Sequence, residues 1–208
     1  PEAYRDAQSL RAASHMSLAL AGQSKLAITP YIRYTDMNFL QHFLPGDPLE
    51  ENGQKSLGLQ TAYYSAPDET LRWIAGVDLE VTDGFLKQSQ DAPTQGSAFL
   101  RATIPEGKHY DYQVDAVMAA VFAQASVQLS QALSLQAGLR FENMDYDYDN
   151  KMVSGRTNED GETCGFGGCR YSRPDDREDS FSNWSPKLGL LYQVSDSSQV
   201  FINLSSGF

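Results

Sequence analysis

The chain has 208 residues, a formal net charge of −11 and 41% hydrophobic residues, with a mean hydropathy of −0.44. That acidity excludes a binder of nucleic-acid backbones, which needs clustered Lys and Arg. No apolar run approaches the roughly 18 residues of a membrane-spanning helix, although barrel strands escape this test because lipid-facing and lumen-facing side chains alternate along them.

In chain order, period-two alternation predicts strand arms at 11–20 and 25–37, joined by the turn formers Ala21-Gly22-Gln23-Ser24. A second pair is expected at 55–64 and 71–86, around a turn from Ser65 to Thr70 that contains Pro67-Asp68. Its later arm sets Arg72, Asp78 and Glu80 on one row against Leu71, Trp73, Ala75, Val77 and Leu79 on the other. The third pair, 113–129 and 133–149, has the clearest pattern. Val121, Ala123, Ala125, Val127 and Leu129 face one way, with Gln124, Ser126 and Gln128 opposite. After Ser130-Gln131-Ala132, Leu133, Leu135, Ala137, Leu139 and Phe141 alternate with Ser134, Gln136, Gly138, Arg140 and Glu142. A last pair is expected at 181–194 and 199–208, around Ser195-Asp196-Ser197-Ser198.

The reading is therefore all-β: an antiparallel up-and-down meander of about eight long strands. Long polar connections at 38–54, 87–112 and 150–180 alternate strictly with the short turns. Outer-membrane barrels carry short turns on the periplasmic side and long loops outside, whereas a soluble sandwich has no reason to gather its long loops at one end. The charged row of Arg72, Asp78, Glu80, Arg140 and Glu142 then points into a wet lumen, since a Lys or Arg facing lipid at the midplane costs roughly 2–4 kcal/mol. Tyr63, Tyr64, Trp73, Trp184 and Tyr192 sit near arm ends, as interfacial girdle residues do.

Ser185-Pro186-Lys187-Leu188-Gly189-Leu190-Leu191-Tyr192, followed by a short turn and Phe201 to Ser206-Gly207-Phe208, resembles a recurrent hairpin of the TonB-dependent outer-membrane receptor family. Gly138-Leu139-Arg140-Phe141-Glu142 resembles that family's Gly-Leu-Arg-Tyr-Glu strand, and Gly76-Val77-Asp78 is a weaker echo. The resemblance spans most of the chain from about Arg11. It implies a transmembrane barrel of the roughly 22-stranded type, plugged by a globular domain and driven through TonB-ExbB-ExbD, which takes up scarce ligands such as ferric siderophores or cobalamin. The whole of 1–208 then reads as part of such a barrel, without the plug domain, the TonB box or the C-terminal strands. Short turns on the periplasmic side would place both chain ends outside, as expected of a piece of a larger barrel rather than a small closed one. A non-transport barrel of porin or adhesin type and a soluble β-sandwich binding module are the competing readings.

Cys164 and Cys169 bracket Gly-Phe-Gly-Gly in the longest loop and are expected to form a disulfide, as envelope proteins allow. Asp145, Asp147 and Asp149 alternate on one face, a pattern of oxygen ligands that suits Ca²⁺ or Mg²⁺. The bland reading of these residues, and of the acids that follow them, is a solvated loop bridged by divalent cations to the phosphates of lipopolysaccharide. No other cofactor is expected. His109, Tyr110 and Tyr112, with Tyr146 and Tyr148, either line a ligand vestibule or belong to a lipid-facing girdle. No catalytic constellation stands out: His15, His42 and His109 are dispersed, and no nucleophile–base pair or phosphate-cradling glycine loop is present.

Overall fold

The computed structural model describes residues 4–42, 44–68 and 70–207. Its strands are β1 (Arg5–Ala13), β2 (Met16–Ala19), β3 (Lys25–Leu40), β4 (Leu49–Tyr64), β5 (Leu71–Gln90), β6 (Gly107–Gln128), β7 (Leu133–Asn150), β8 (Arg177–Ser195) and β9 (Ser198–Ser205). One short helix, α1 (Ala98–Thr103), lies in the connection between β5 and β6. All strand pairs are antiparallel in the order β1-β3-β4-β5-β6-β7-β8-β9, with β2 also paired to β3, and the sheet does not close on itself among the described residues.

The expected meander is present, with nine strands where about eight arms were expected. The difference is a break at Ser14 and His15 in the first arm, and Pro30 explains it. Ser14 N–H donates to Pro30 O (3.1 Å), but proline has no N–H to return the second bond of that pair. His15 Nδ1 and Thr29 Oγ1 meet at 2.9 Å across the gap.

The other arms run further than their apolar alternation. Here β4 begins at Leu49 rather than 55, and β5 and β6 reach Gln90 and Gly107. Ladder hydrogen bonds need only backbone, so pairing continues where side chains on both faces are polar. The long connections shrink accordingly to 41–48, 91–106 and 151–176.

Register separates two faces, because directly paired residues share one. Val77, Thr61 and Val121 lie in a row, as do Leu79, Leu59 and Ala119. This face is uncovered, with Leu79 47% and Val121 52% exposed. On β5 its apolar row runs from Leu71 to Val81, eleven positions, which at a strand tilt near 45° spans about 25 Å, the height of a barrel's apolar band. Tyr63 and Trp73 pack at 5.1 Å and Phe141 and Trp184 at 4.7 Å on the same face. Beyond the band it turns acidic: Asp83, Asp115 and Asp147 stand side by side on three adjacent strands.

The short turns are capped locally. Leu20 N–H donates to Ser24 O (2.9 Å) across the first. In the second, Asp68 accepts from Leu71 N–H (3.0 Å) and Thr70 N–H (2.7 Å), and these two bonds hold its carboxyl below the usual carboxylate range.

Candidate functional site

The opposite face carries the charged side chains. Arg72, Asp78, Glu80, Arg140 and Glu142 all lie on it, and two networks tie most of them together. Arg140 spans the first, its Nη1 2.5 Å from Asp78 Oδ2 and its Nη2 2.8 Å from Glu142 Oε2. Between Asp78 and Glu142 in register lies Ala120, 2% exposed; its single methyl lets the guanidinium pass over β6. In the second network Glu80 accepts from Tyr31 Oη and pairs with Arg33, while Thr82 Oγ1 donates to it (3.1 Å) and meets Ser56 Oγ at 2.8 Å.

Two glycines make these crossings possible. Tyr31, Gly58 and Glu80 form one row across β3, β4 and β5, and the Tyr31 ring lies flat over Gly58, where a Cβ would fall 2.1 Å from Cζ. Phe122 covers Gly76 in the same way, with Cζ 2.5 Å from the position of a Cβ. Large side chains thus lie along the sheet and knit neighbouring strands. Between the first network and the short turns is a hollow of about 470 Å³, lined by His15, Thr29, Gln60, Asp78, Arg140 and Lys187 among others.

Toward the long loops this face becomes aromatic. Tyr110, Tyr112, Tyr146 and Tyr148 are on it by register, so these four candidates share the face of the ion networks and not the apolar one. Tyr112 and Tyr148 pack at 5.0 Å, and Tyr146 meets Phe181 edge-on at 6.0 Å. At the rim, Gln88 Nε2 donates to Gln41 Oε1 (3.0 Å), and Glu50 accepts from both Gln41 and Asn52. Rings of this kind offer stacking faces and phenolic donors to a polar ligand.

His109 is placed apart from that group. Its ring is 2% exposed, stacks on Tyr171 at 4.4 Å, and its Nε2 is 2.8 Å from Pro105 O. Burial lowers its pKa, and Arg173 adds to the effect. Arg173, also 2% exposed, donates to Val153 O, His109 O, Thr157 O, Thr157 Oγ1 and Asn158 O at 2.6–3.1 Å. It organises the 151–176 loop from inside. Cys164 and Cys169 form the expected disulfide, Cα atoms 4.8 Å apart.

Asp145, Asp147 and Asp149 lie on the other face, continuing the row of Leu139 and Phe141. Asp145 accepts from Asn143 Nδ2 (2.9 Å), and Asp149 pairs with Lys151. Among the described residues, no three acidic, His or Cys side chains converge as a chelating group. Successive outward positions on a strand stand about 7 Å apart, so the three do not gather round one ion as a looped site would.

Sequence reading did not single out Tyr31, Tyr171, Arg173, Phe99 or Phe166. Tyr31 was within reach, being opposite Gly58 once the register of β3 on β4 is known. Arg173 had no signal, because most of its acceptors lie in the irregular backbone of its own loop, at Val153, Thr157 and Asn158, and the remaining carbonyl, of His109, is 64 residues away.

The family model described as "TonB dependent receptor-like, beta-barrel" matches residues 4–208. The open form of the ferric-catecholate import receptor Fiu from E. coli K12 is similar in structure at TM-score 0.68 and 16% identity, over 98% of this chain and 36% of that one. The unliganded ferric citrate transporter FecA gives TM-score 0.66 and 14% identity, over 96% of this chain and 27% of that one. At these identities the likeness concerns the fold, and the chain spans about a third of the length of these structures. A curated Saccharophagus degradans protein named D-alanine–D-alanine ligase is 29% identical over 134 residues, 61% of this chain and 43% of that protein.

Proposed function

The chain belongs to the TonB-dependent receptor-like β-barrel family, and from that premise we propose that it is a portion of the wall of an outer-membrane receptor that takes up a scarce ligand. The family is one of outer-membrane transport receptors and not of enzymes, and the partial, distant ligase-named match assigns no chemistry. The observation that carries the proposal is the division of one sheet into an uncovered apolar face and an ion-paired polar face. A soluble sandwich would bury the first against a second sheet. On this reading the apolar row meets lipid and the networks of Arg140 and Glu80 line the lumen.

The remaining parts of the proposal follow from that placement. The chain forms part of a larger barrel, its edges β1 and β9 paired by further strands. The hollow beside Asp78 and Arg140 seats a plug domain, through which TonB-ExbB-ExbD acts. Loops 41–48, 91–106 and 151–176 are extracellular. Tyr110, Tyr112, Tyr146 and Tyr148 contact the ligand, a ferric siderophore, cobalamin or similar, on its way to the plug. The outward carboxylates Asp83, Asp115, Asp145, Asp147 and Asp149 meet lipopolysaccharide at headgroup depth, sharing Ca²⁺ or Mg²⁺ with its phosphates.

The sidedness is tested by cysteine labelling of the whole receptor in cells. Gln95→Cys should react with an impermeant maleimide on intact cells, and Asp196→Cys only after the outer membrane is opened. The reverse pattern, or equal protection of both, refutes the orientation. Uptake is tested with ferric catecholates, ferric citrate and cobalamin in cells with and without TonB; uptake that is independent of TonB would favour a porin-like barrel.

A further inference from the structure

The 151–176 loop is seated on the outer end of β6, and the seat is built around His109. Strand β6 bulges there: Gln88 of β5 pairs with Tyr110 and Ser89 with Lys108, which leaves His109 as the extra residue. A bulge re-aims the side chain it carries, and this one turns the imidazole against the loop, well beyond the apolar row that ends at Val81. Tyr171 stacks on it at 4.4 Å, and the same ring meets Tyr110 at 5.8 Å and the Arg173 guanidinium at 5.5 Å. Arg173 Nη1 donates to His109 O (2.8 Å). The loop is also pinned to the 91–106 connection, by Gly165 N–H to Ala102 O (3.1 Å), Arg170 N–H to Thr103 O (2.9 Å) and the edge-on contact of Phe166 with Phe99 at 5.3 Å.

This seat already holds one cation. Arg173 is buried and donates only to carbonyls and the Thr157 hydroxyl, and among the described residues it forms no ion pair. His109 Nε2 lies 2.8 Å from Pro105 O. A carbonyl only accepts, so the neutral imidazole carries its proton on Nε2 and an added proton goes to Nδ1. Burial holds His109 below the ordinary histidine value, the bond to Pro105 O opposes this, and Arg173 adds to it; no carboxylate is among the charges that act on it. The nearby acids are engaged elsewhere: Asp111 pairs with Lys108 (2.9 Å), Glu159 accepts from Lys108 N–H (2.9 Å), and Asp149 pairs with Lys151. On its other sides His109 meets the phenols Tyr110 and Tyr171 and, from β5, uncharged Gln88 and Ser89.

We propose that His109 is an acid trigger for this loop: a proton on its imidazole sets two cations side by side in a buried seat without a carboxylate, and the 151–176 loop lifts from β6 and from the 91–106 connection. Lifting withdraws Tyr171 from Tyr110 and opens the way to Tyr110, Tyr112 and Tyr148. The sign follows from the direction of the perturbation. The lifted state, in which the imidazole is solvated, takes up the proton first, so the loop is fully seated above the ordinary histidine range and is released as pH falls through it. The consequence for a ligand rests on the receptor reading, in which these tyrosines contact it; the trigger itself does not.

The test uses the whole receptor in detergent, without ligand, carrying spin labels at Gln95→Cys and Asp160→Cys, one on each connection, and reads the distance between them by pulsed electron spin resonance. Between about pH 7.5 and about pH 5 the population at longer distance should grow about threefold or more. His109→Gln keeps a donor for Pro105 O and takes up no proton, so it should hold the short distance at both pH values. His109→Arg, a permanent cation, should show the long distance already at neutral pH, while heat-modified mobility in gels verifies that the barrel stays folded. An unchanged distance across this pH range overturns the proposal, as does a long distance for His109→Gln at either pH or a short one for His109→Arg at neutral pH. An acid response that is lost in Glu159→Gln but kept in His109→Gln assigns it to the carboxylate and likewise overturns the proposal. Because no ligand or uptake enters the measurement, each of these failures leaves the receptor reading intact.

Discussion

Replacing Arg173 by Met keeps most of the aliphatic stem and removes five hydrogen bonds that hold the longest loop together. Four of the acceptors are carbonyls, of Val153, His109, Thr157 and Asn158. A buried acceptor left without a partner costs about 1–3 kcal/mol. The lower end applies here, because a loop can admit water. Four such losses come to about 4 kcal/mol, offset in part because a guanidinium no longer has to be buried. A net loss of about 3 kcal/mol raises the local opening equilibrium about a hundredfold. Hydrogen exchange of the detergent-solubilised receptor reads this directly. Amides at Gly155, Asn158, Gly165 and Arg170, which bond within or between the two loops, should exchange about a hundredfold faster, while those of β5 and β6 stay unchanged. Arg173→Lys should recover little, since a single ammonium does not reproduce the guanidinium's fork of donors. Acceleration under about threefold, or spread equally over the strands, would refute the assignment of Arg173 as the organiser of a local unit.

Four further outcomes are expected. Leu79→Arg, on the uncovered apolar face, should destabilise the receptor in bilayers by roughly 2–4 kcal/mol, whereas Gln60→Arg on the polar face should have a far smaller effect; denaturant titration in lipid vesicles compares them. Gly58→Val should displace the Tyr31 ring and lose its bond to Glu80, for an overpacking cost of about 1–3 kcal/mol, read by heat-modified mobility in gels. His109 should make the loop acid-sensitive. Burial depresses its folded pKa below the unfolded value, so the unfolded state takes up the proton first; loop stability should be full at neutral pH and fall as pH drops through the ordinary histidine range. Exchange at Gly155 and Arg170 against pH measures this, and His109→Gln should flatten the profile. Asp115→Asn, the middle of the outward acidic row, should stabilise the receptor in EDTA and lose that advantage when Mg²⁺ and lipopolysaccharide are restored; an equal effect in both media would count against cation sharing.

Much of the wall was legible in the primary structure. Alternation along Leu71–Val81 and Leu133–Glu142 assigned faces correctly, because side-chain period along a strand is a local property of the backbone. The short turns were equally readable from Pro67-Asp68 and Ser130-Gln131-Ala132. Two cysteines five positions apart in one loop could hardly pair otherwise than with each other. Strand ends were less legible: polar stretches such as Asn52–Lys55 and Lys87–Gln90 lie in strands although nothing in their hydrophobicity requires it.

Cross-strand relations were not available from the chain alone. Local pattern placed Tyr110, Tyr112, Tyr146 and Tyr148 near strand ends without saying which face they used, and only the continuous register from Asp78 through Ala120 to Glu142 set them beside the ion networks. The crossing of Tyr31 over Gly58 and the reach of Arg140 over Ala120 depend on which residues stand opposite, a matter of strand pairing over tens of residues. The loops were least legible of all, since Arg173, His109 and the Phe99–Phe166 pair gain their roles from segments distant in sequence that are brought together across two connections. Periodicity determined the two faces of this wall; pairing and loop packing, which depend on partners distant in sequence, decided what each face presents.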